Sequence, residues 1–144
     1  MNIEQYNSSL QKLKQPLERL LKETGVFDYG DLSLLEYNKG DSEENFIAQE
    51  AVTVTRLALG LFDRINYLTL PITTVDELSI VGDELYLGDE RLSCGTILEA
   101  YVLDENEEFY TWKITHVEHT EKRGYFLYGL SNSSLNNLTC RIRG

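Results

Sequence analysis

A chain of 144 residues that is 42% hydrophobic and holds two prolines can fill one packed domain or two small units, which excludes wholesale disorder. Its 24 acidic and 13 basic side chains leave a net charge of −11, which disfavours a basic face for phosphate backbones, so no direct nucleic-acid binding is expected. The opening MNIEQYNSSLQKLK has no apolar signal core, and the longest apolar run, LALGLFDRINYLTLPI, is broken by Asp63 and Arg64; a cytoplasmic chain with no membrane segment is expected.

In chain order, Ile3, Tyr6, Leu10, Leu13, Leu17, Leu20 and Leu21 recur at three- and four-residue steps, the stripe of an amphipathic helix. Pro16 interrupts it, so the helix either kinks there or gives way to a new one near Gln15. Gly25 is a good stop. Within VFDYGDLSLLEYNKGDSEE, Leu32, Leu34 and Leu35 suggest a short strand or a single turn. Asp41 or Ser42 then caps a second long helix, with Glu43 and Glu44 in the first turn where negative charge is favoured. Ile47, Ala51, Val54, Ala58, Leu61, Ile65 and Leu68 form its stripe, and Pro71 ends it.

After Pro71, Gly, Asp and Asn punctuate short runs rich in Val, Ile, Tyr and Thr, which is strand vocabulary. ELSIV and ELYLG flank Gly82-Asp83, a two-residue hairpin signal. GTILEAYVLD, the turn DENEE and EFYTWKITHVEH predict a second hairpin. TEKRG turns into YFLYGL, and LTCRIR closes the chain after the loop SNSSLNN. Five or six such strands predict a strongly bent sheet. The expected architecture is α+β, with a helical region over 1–72 packed on a small antiparallel sheet or partly closed barrel over 73–144. The aromatics of WKITHVEHTEKRGYFLYGL are expected to fill its core. Cys94 and Cys140 fall singly and without C-x-x-C spacing, which predicts buried thiols.

Acidic residues gather at the predicted turns: Asp83 and Glu84, Asp89 and Glu90, then Asp104, Glu105, Glu107 and Glu108. Asp83, Asp89, Glu90, Asp104, Glu105, Glu107 and Glu108 are therefore the candidate contacts to a partner with a basic surface, attracted by charge complementarity. His116, Glu118 and His119 form the densest polar constellation. On a strand His116 and Glu118 share a face and His119 points the other way, so at most two ligands converge, one short of a catalytic zinc set. Glu99 lies in a central strand and, if buried, needs a partner, which Arg141 or Arg143 can supply. GxSxG, GxGxxG and GxxxxGK[ST] are all missing from the sequence, so catalytic residues, a resident metal and a cofactor are not expected.

The stretch from LSCGTILEAYVLD to LTCRIR, through Gly95, Glu99, Trp112, Thr115, Glu118, Gly124, Tyr125, Leu130, Leu135, Arg141 and Arg143, resembles a small β-domain of unknown function carried on plasmids and conjugative elements of Gram-positive bacteria. It covers the last third of the chain. By analogy of setting, size and acidity, the resemblance implies an anti-CRISPR protein that binds Cas9 or its guide RNA complex and interferes with guide or DNA engagement. Two alternatives stand beside it: a metal-dependent hydrolase or nuclease built on His116 and Glu118, and a non-catalytic module of a larger mobile-element complex. Helix stripes left uncovered within one chain imply a homodimer.

Overall fold

In the computed structural model the chain divides into two compact units, Met1–Thr69 and Leu70–Gly144; the structure describes residues 1–104, 106, 108–130 and 135–144.

The first unit holds α1 (Ile3–Glu23), the single turn α2 (Val26–Tyr29) and α3 (Ser42–Thr69). A capping box starts α1: the Gln5 amide donates to Asn2 Oδ1 and the Asn2 amide donates to Gln5 Oε1, both at 2.9 Å, which satisfies two donors that the first turn leaves orphaned. The helix runs through Pro16 as one element, so no new helix begins near Gln15. It stops at Thr24, and Gly25 follows with φ +96°, a left-handed position that glycine enters without steric penalty. Leu32, Leu34 and Leu35 form a single turn rather than a strand, closed by the Leu35 amide donating to the Leu32 carbonyl at 2.9 Å. Asp41 caps α3, its Oδ1 accepting from the amides of Glu43 and Glu44 at 2.9 and 3.0 Å.

Packing in this unit differs from the single stripe predicted on each helix. Leu21 of α1 is buried with Ala58 and Phe62 of α3, and Leu17, Val26 and Leu59 pack against them. On α3 the buried positions are Thr55, Ala58, Phe62 and Ile65, while Ile47, Val54, Leu61 and Leu68 stay exposed. One α-helical neighbour covers a limited arc, and α3 carries apolar residues over a wider one.

The second unit is a seven-stranded antiparallel sheet: β1 (Ile72–Val81), β2 (Glu84–Leu87), β3 (Glu90–Leu92), β4 (Ile97–Asp104), β5 (Phe109–Thr120), β6 (Gly124–Leu127) and β7 (Thr139–Arg143). The spatial order is β3-β2-β1-β7-β4-β5-β6, so the last strand inserts between β1 and β4. Turn spacing predicts five or six strands; the additional one is ERL, too short to read against its Gly-Asp neighbours. Val81 pairs with Glu84 across the two-residue loop Gly82-Asp83, and Gly82 sits at φ +63°, as a glycine in the first loop position of such hairpins does.

Alternation sorts the strands into two faces. Leu78, Leu85, Leu87, Leu92, Leu98, Ala100, Val117, Leu127 and Cys140 form one buried cluster. Leu92 comes from one edge strand and Leu127 from the other, so the sheet curls around this face into a half-barrel. Thr115 is the polar member of the lining, and its Oγ1 donates to the Tyr128 carbonyl at 2.6 Å.

The core is aliphatic, which corrects the expectation that the rings fill it. The register pairs Tyr101 with Trp112, and Leu103 with Tyr110, on the face opposite Leu98 and Ala100, so a curl that buries the leucines turns these rings outward. Cys140 is buried as predicted, but Cys94 is exposed, because it sits in the turn between β3 and β4.

Candidate protein-binding surface

The most constructed part of the sheet's outer face is an ion triad. Glu99 lies mid-strand in β4 with β7 alongside, and the register sets it directly opposite Arg141. Its Oε1 accepts from Arg141 Nε at 3.1 Å and Nη2 at 2.7 Å, and its Oε2 accepts from Arg143 Nε at 2.7 Å. Arg143 also donates through Nη1 to the Leu70 carbonyl at 3.1 Å. Both candidate partners of Glu99 are thus engaged, and together they cover it: the Glu99 side chain is 6% exposed and the two arginines 17% and 15%. Two residues apart on one strand, Arg141 and Arg143 share a face by the same alternation that hides Cys140. The Arg141 guanidinium lies 4.2 Å from the centre of the Trp112 ring, a cation–π contact on a desolvated cation.

An aromatic strip continues from there. Tyr101 stacks obliquely on Trp112 at 4.9 Å and on Tyr110 at 5.4 Å between centroids. Tyr101, Tyr110, Leu103, Ile97 and Val75 all stay exposed, and each lies on the Glu99 face by register. A covered ion triad beside exposed rings and aliphatic side chains on one face matches the composition of interface cores, where Tyr, Trp and Arg are enriched.

The acidic turns divide between the two ends of the sheet. β1 and β4 are each antiparallel to β7 and so run the same way, which brings Asp83 with Glu84 and Asp104 with Glu108 to one end. Asp89 in the β2–β3 turn and Glu90 at the start of β3 lie at the other end, so the candidate contacts do not form one cluster. Glu105 and Glu107 lie outside the described residues. Some of the charge is compensated: Arg91 meets Glu84 at 3.1 Å and Lys113 meets Asp104 at 3.8 Å. The Tyr86 hydroxyl donates to Glu84 at 2.9 Å, and that hydrogen bond to a carboxylate pushes the phenol above its ordinary range.

His116 and Glu118 do share a face, with Nε2 and Oε1 2.8 Å apart, and His116 stacks on Tyr128. His119 turns to the opposite side, edge-on to Tyr125. Among the described residues no three His, Cys, Asp or Glu side chains converge as a metal set. Arg123, in the β5–β6 turn, lies over the Phe126 ring at 3.9 Å, apart from the two arginines on Glu99. No helix is long and apolar enough to cross a membrane among the described residues.

Sequence reasoning finds the triad from its strand spacing but misses the outer strip. A signal for it exists: Glu99, Tyr101 and Leu103 alternate with Leu98, Ala100 and Val102, and the second set is the more uniformly aliphatic. No curated protein matches this chain, and no solved structure does. Residues 75–143 match the family model described as Domain of unknown function (DUF5348), so the sheet with Glu99, Trp112, Arg141 and Arg143 is similar to that domain, and the helices lie outside the matched stretch.

Proposed function

We propose that this chain is a non-catalytic protein-binding module whose sheet docks a partner protein on the outer face, with the acidic end beside it steering a cationic partner into place. The observation that carries the reading is the exposed strip of Tyr101, Tyr110 and Leu103 on the same face as the Arg141–Glu99–Arg143 triad. A contiguous apolar patch of this kind is uncommon on an isolated soluble domain and marks interaction surfaces. Asp104 and Glu108 flank the Tyr110 end of the strip, where rim charge raises association rates more than it deepens affinity.

The sharpest form of this reading is an inhibitor from a mobile element that occupies the basic guide-RNA or DNA channel of Cas9, in competition with phosphates for the same Arg and Lys side chains. It rests on charge, size and the resemblance of the last third of the chain. The test is a Cas9 cleavage assay with the protein added before and after guide loading, run beside a Tyr101→Ala/Tyr110→Ala variant. Inhibition that the variant loses supports both forms. No inhibition in either order, across several Cas9 sources, removes the Cas9 form. The general form then stands or falls on capture of a host protein by the wild-type chain and loss of that capture in the variant.

A further inference from the structure

On α3 an open row of apolar residues runs beside the flank that packs on α1. At 100° per residue, Ala58 and Phe62, which pack on α1, lie with buried Thr55 on one flank, and Ile47, Val54, Leu61 and Leu68 lie on the next, centred roughly 80° around, with Ile65 buried on the border between the two. These four repeat every seven residues, the spacing of a helix seam, and Leu57 stands on the same flank. All are open, from 41% exposed at Leu61 to 69% at Leu57.

The row is symmetric about Leu57 to within one residue. Val54 and Leu61 stand three and four positions away, Glu50 and Arg64 seven each, and Ile47 and Leu68 ten and eleven. An acidic residue on one side thus mirrors a basic one on the other. No ion pair joins Glu50 or Arg64 to another described residue of this chain. A two-fold axis makes residue i of one copy meet residue j of the other and j meet i. Two α3 helices placed antiparallel across an axis near Leu57 therefore set each Glu50 beside the other copy's Arg64 and close the apolar row on itself. A parallel arrangement would instead place Glu50 against Glu50 and Arg64 against Arg64.

We propose that the open flank of α3 is a homodimer interface in which a second copy of this chain docks antiparallel, with Leu57 at the two-fold axis and Glu50–Arg64 pairs on either side. A single helix pair of this length buries on the order of 1,000 Å² in total, the small end for a specific interface, so the dimer dissociates on dilution.

Sedimentation equilibrium over a dilution series of the full chain, in buffer of physiological ionic strength, tests this. The wild type is expected to pass from monomer to dimer as concentration rises, and Leu57→Glu to stay monomeric throughout. Glu50→Arg and Arg64→Glu are each expected to weaken the dimer by roughly tenfold or more, as like charges meet across the axis. The double exchange is expected to restore it, because each reversed charge then meets a reversed partner. All three positions are exposed, and unchanged helical circular dichroism shows that the variants fold. A chain monomeric at every concentration, or a dimer indifferent to Leu57→Glu, overturns the proposal. A dimer that each single reversal weakens and the double exchange fails to restore overturns its antiparallel register.

Discussion

Glu99 is the residue on which the outer face depends. A carboxylate held between two guanidinium groups has exchanged its water for three charge-assisted hydrogen bonds, and removing it leaves two cations side by side with little solvent. Breaking such a buried set by deleting one partner costs about 3–5 kcal/mol, whereas replacing the whole set by well-packed apolar residues is often neutral. Glu99→Ala is therefore expected to lower the unfolding free energy by that order, and Glu99→Ala/Arg141→Leu/Arg143→Leu to recover most of the loss. Equilibrium urea unfolding followed by Trp112 fluorescence checks both. The two cysteines divide in a similar way. Burial pushes the Cys140 thiol up to about 12, so at neutral pH it stays protonated and shielded, while Cys94 is open to solvent. A thiol reagent such as DTNB is expected to titrate one cysteine in the native chain and two in the denatured one, with Cys94→Ser abolishing the native reaction. Deprotonation of Cys140 in the folded state requires a rise in pH toward 12, so stability drawn from its neutral form persists through the neutral range.

At the scale of elements, the turns decide where strands begin. Gly88 joins β2 to β3 at φ +57°, and its amide donates to the Glu77 carbonyl at 3.1 Å. A Cβ at this position would run into the Asp76 carboxylate. Gly88→Ala is expected to cost about 1–2 kcal/mol from the left-handed backbone alone. Asp76 is exposed and can swing aside, so adding Asp76→Ala is expected to recover little of that cost; thermal unfolding of the two variants measures the difference. Much of this level is legible from residue order, because caps and hairpin loops are local: Asp41 at the start of α3, Gly25 after α1 and Gly82 in the first hairpin are each fixed by the residues within four positions. The pairing of Glu99 with the last strand is legible as well, since a charge in an apolar strand needs a partner and few cations are on offer. The rings are harder to place, because alternation states which residues share a face and leaves open which face the sheet closes upon. The choice falls to the set that packs without polar tips, and Leu98, Ala100 and Val117 outcompete Tyr101, Tyr110 and Trp112, whose hydroxyl and indole groups want water or a partner. On α3 the same ambiguity recurs: a stripe wide enough for two neighbours reads, in sequence, like one broad stripe for a single neighbour.

For the whole molecule, the net charge of −11 acts oppositely on the two proposed associations. Two identical copies repel. With charge centres on the order of 35 Å apart, the unscreened repulsion in water is roughly 14 kcal/mol, falling to roughly 4 kcal/mol at 0.01 M salt and to a few tenths at 0.15 M. Against this, exposed Glu50–Arg64 pairs contribute about 0–1 kcal/mol each, and they too weaken with salt. At low ionic strength the repulsion between copies outweighs those pairs, so added salt is expected to strengthen self-association up to about physiological concentration. A cationic partner reverses the sign. There the long-range attraction is what salt removes, so its association rate falls over the same range. Charge reversal at Asp83 and Asp104, Asp83→Lys/Asp104→Lys, is expected to slow that association and flatten its salt dependence while leaving the dissociation rate, set by the aromatic strip, nearly unchanged. Stopped-flow or surface-binding kinetics with the partner that the chain captures, read beside sedimentation in the same buffers, separate the two effects. If both associations weakened in parallel as salt rose, short-range ion pairs would govern the dimer, and the apolar row on α3 would not be what holds the copies together.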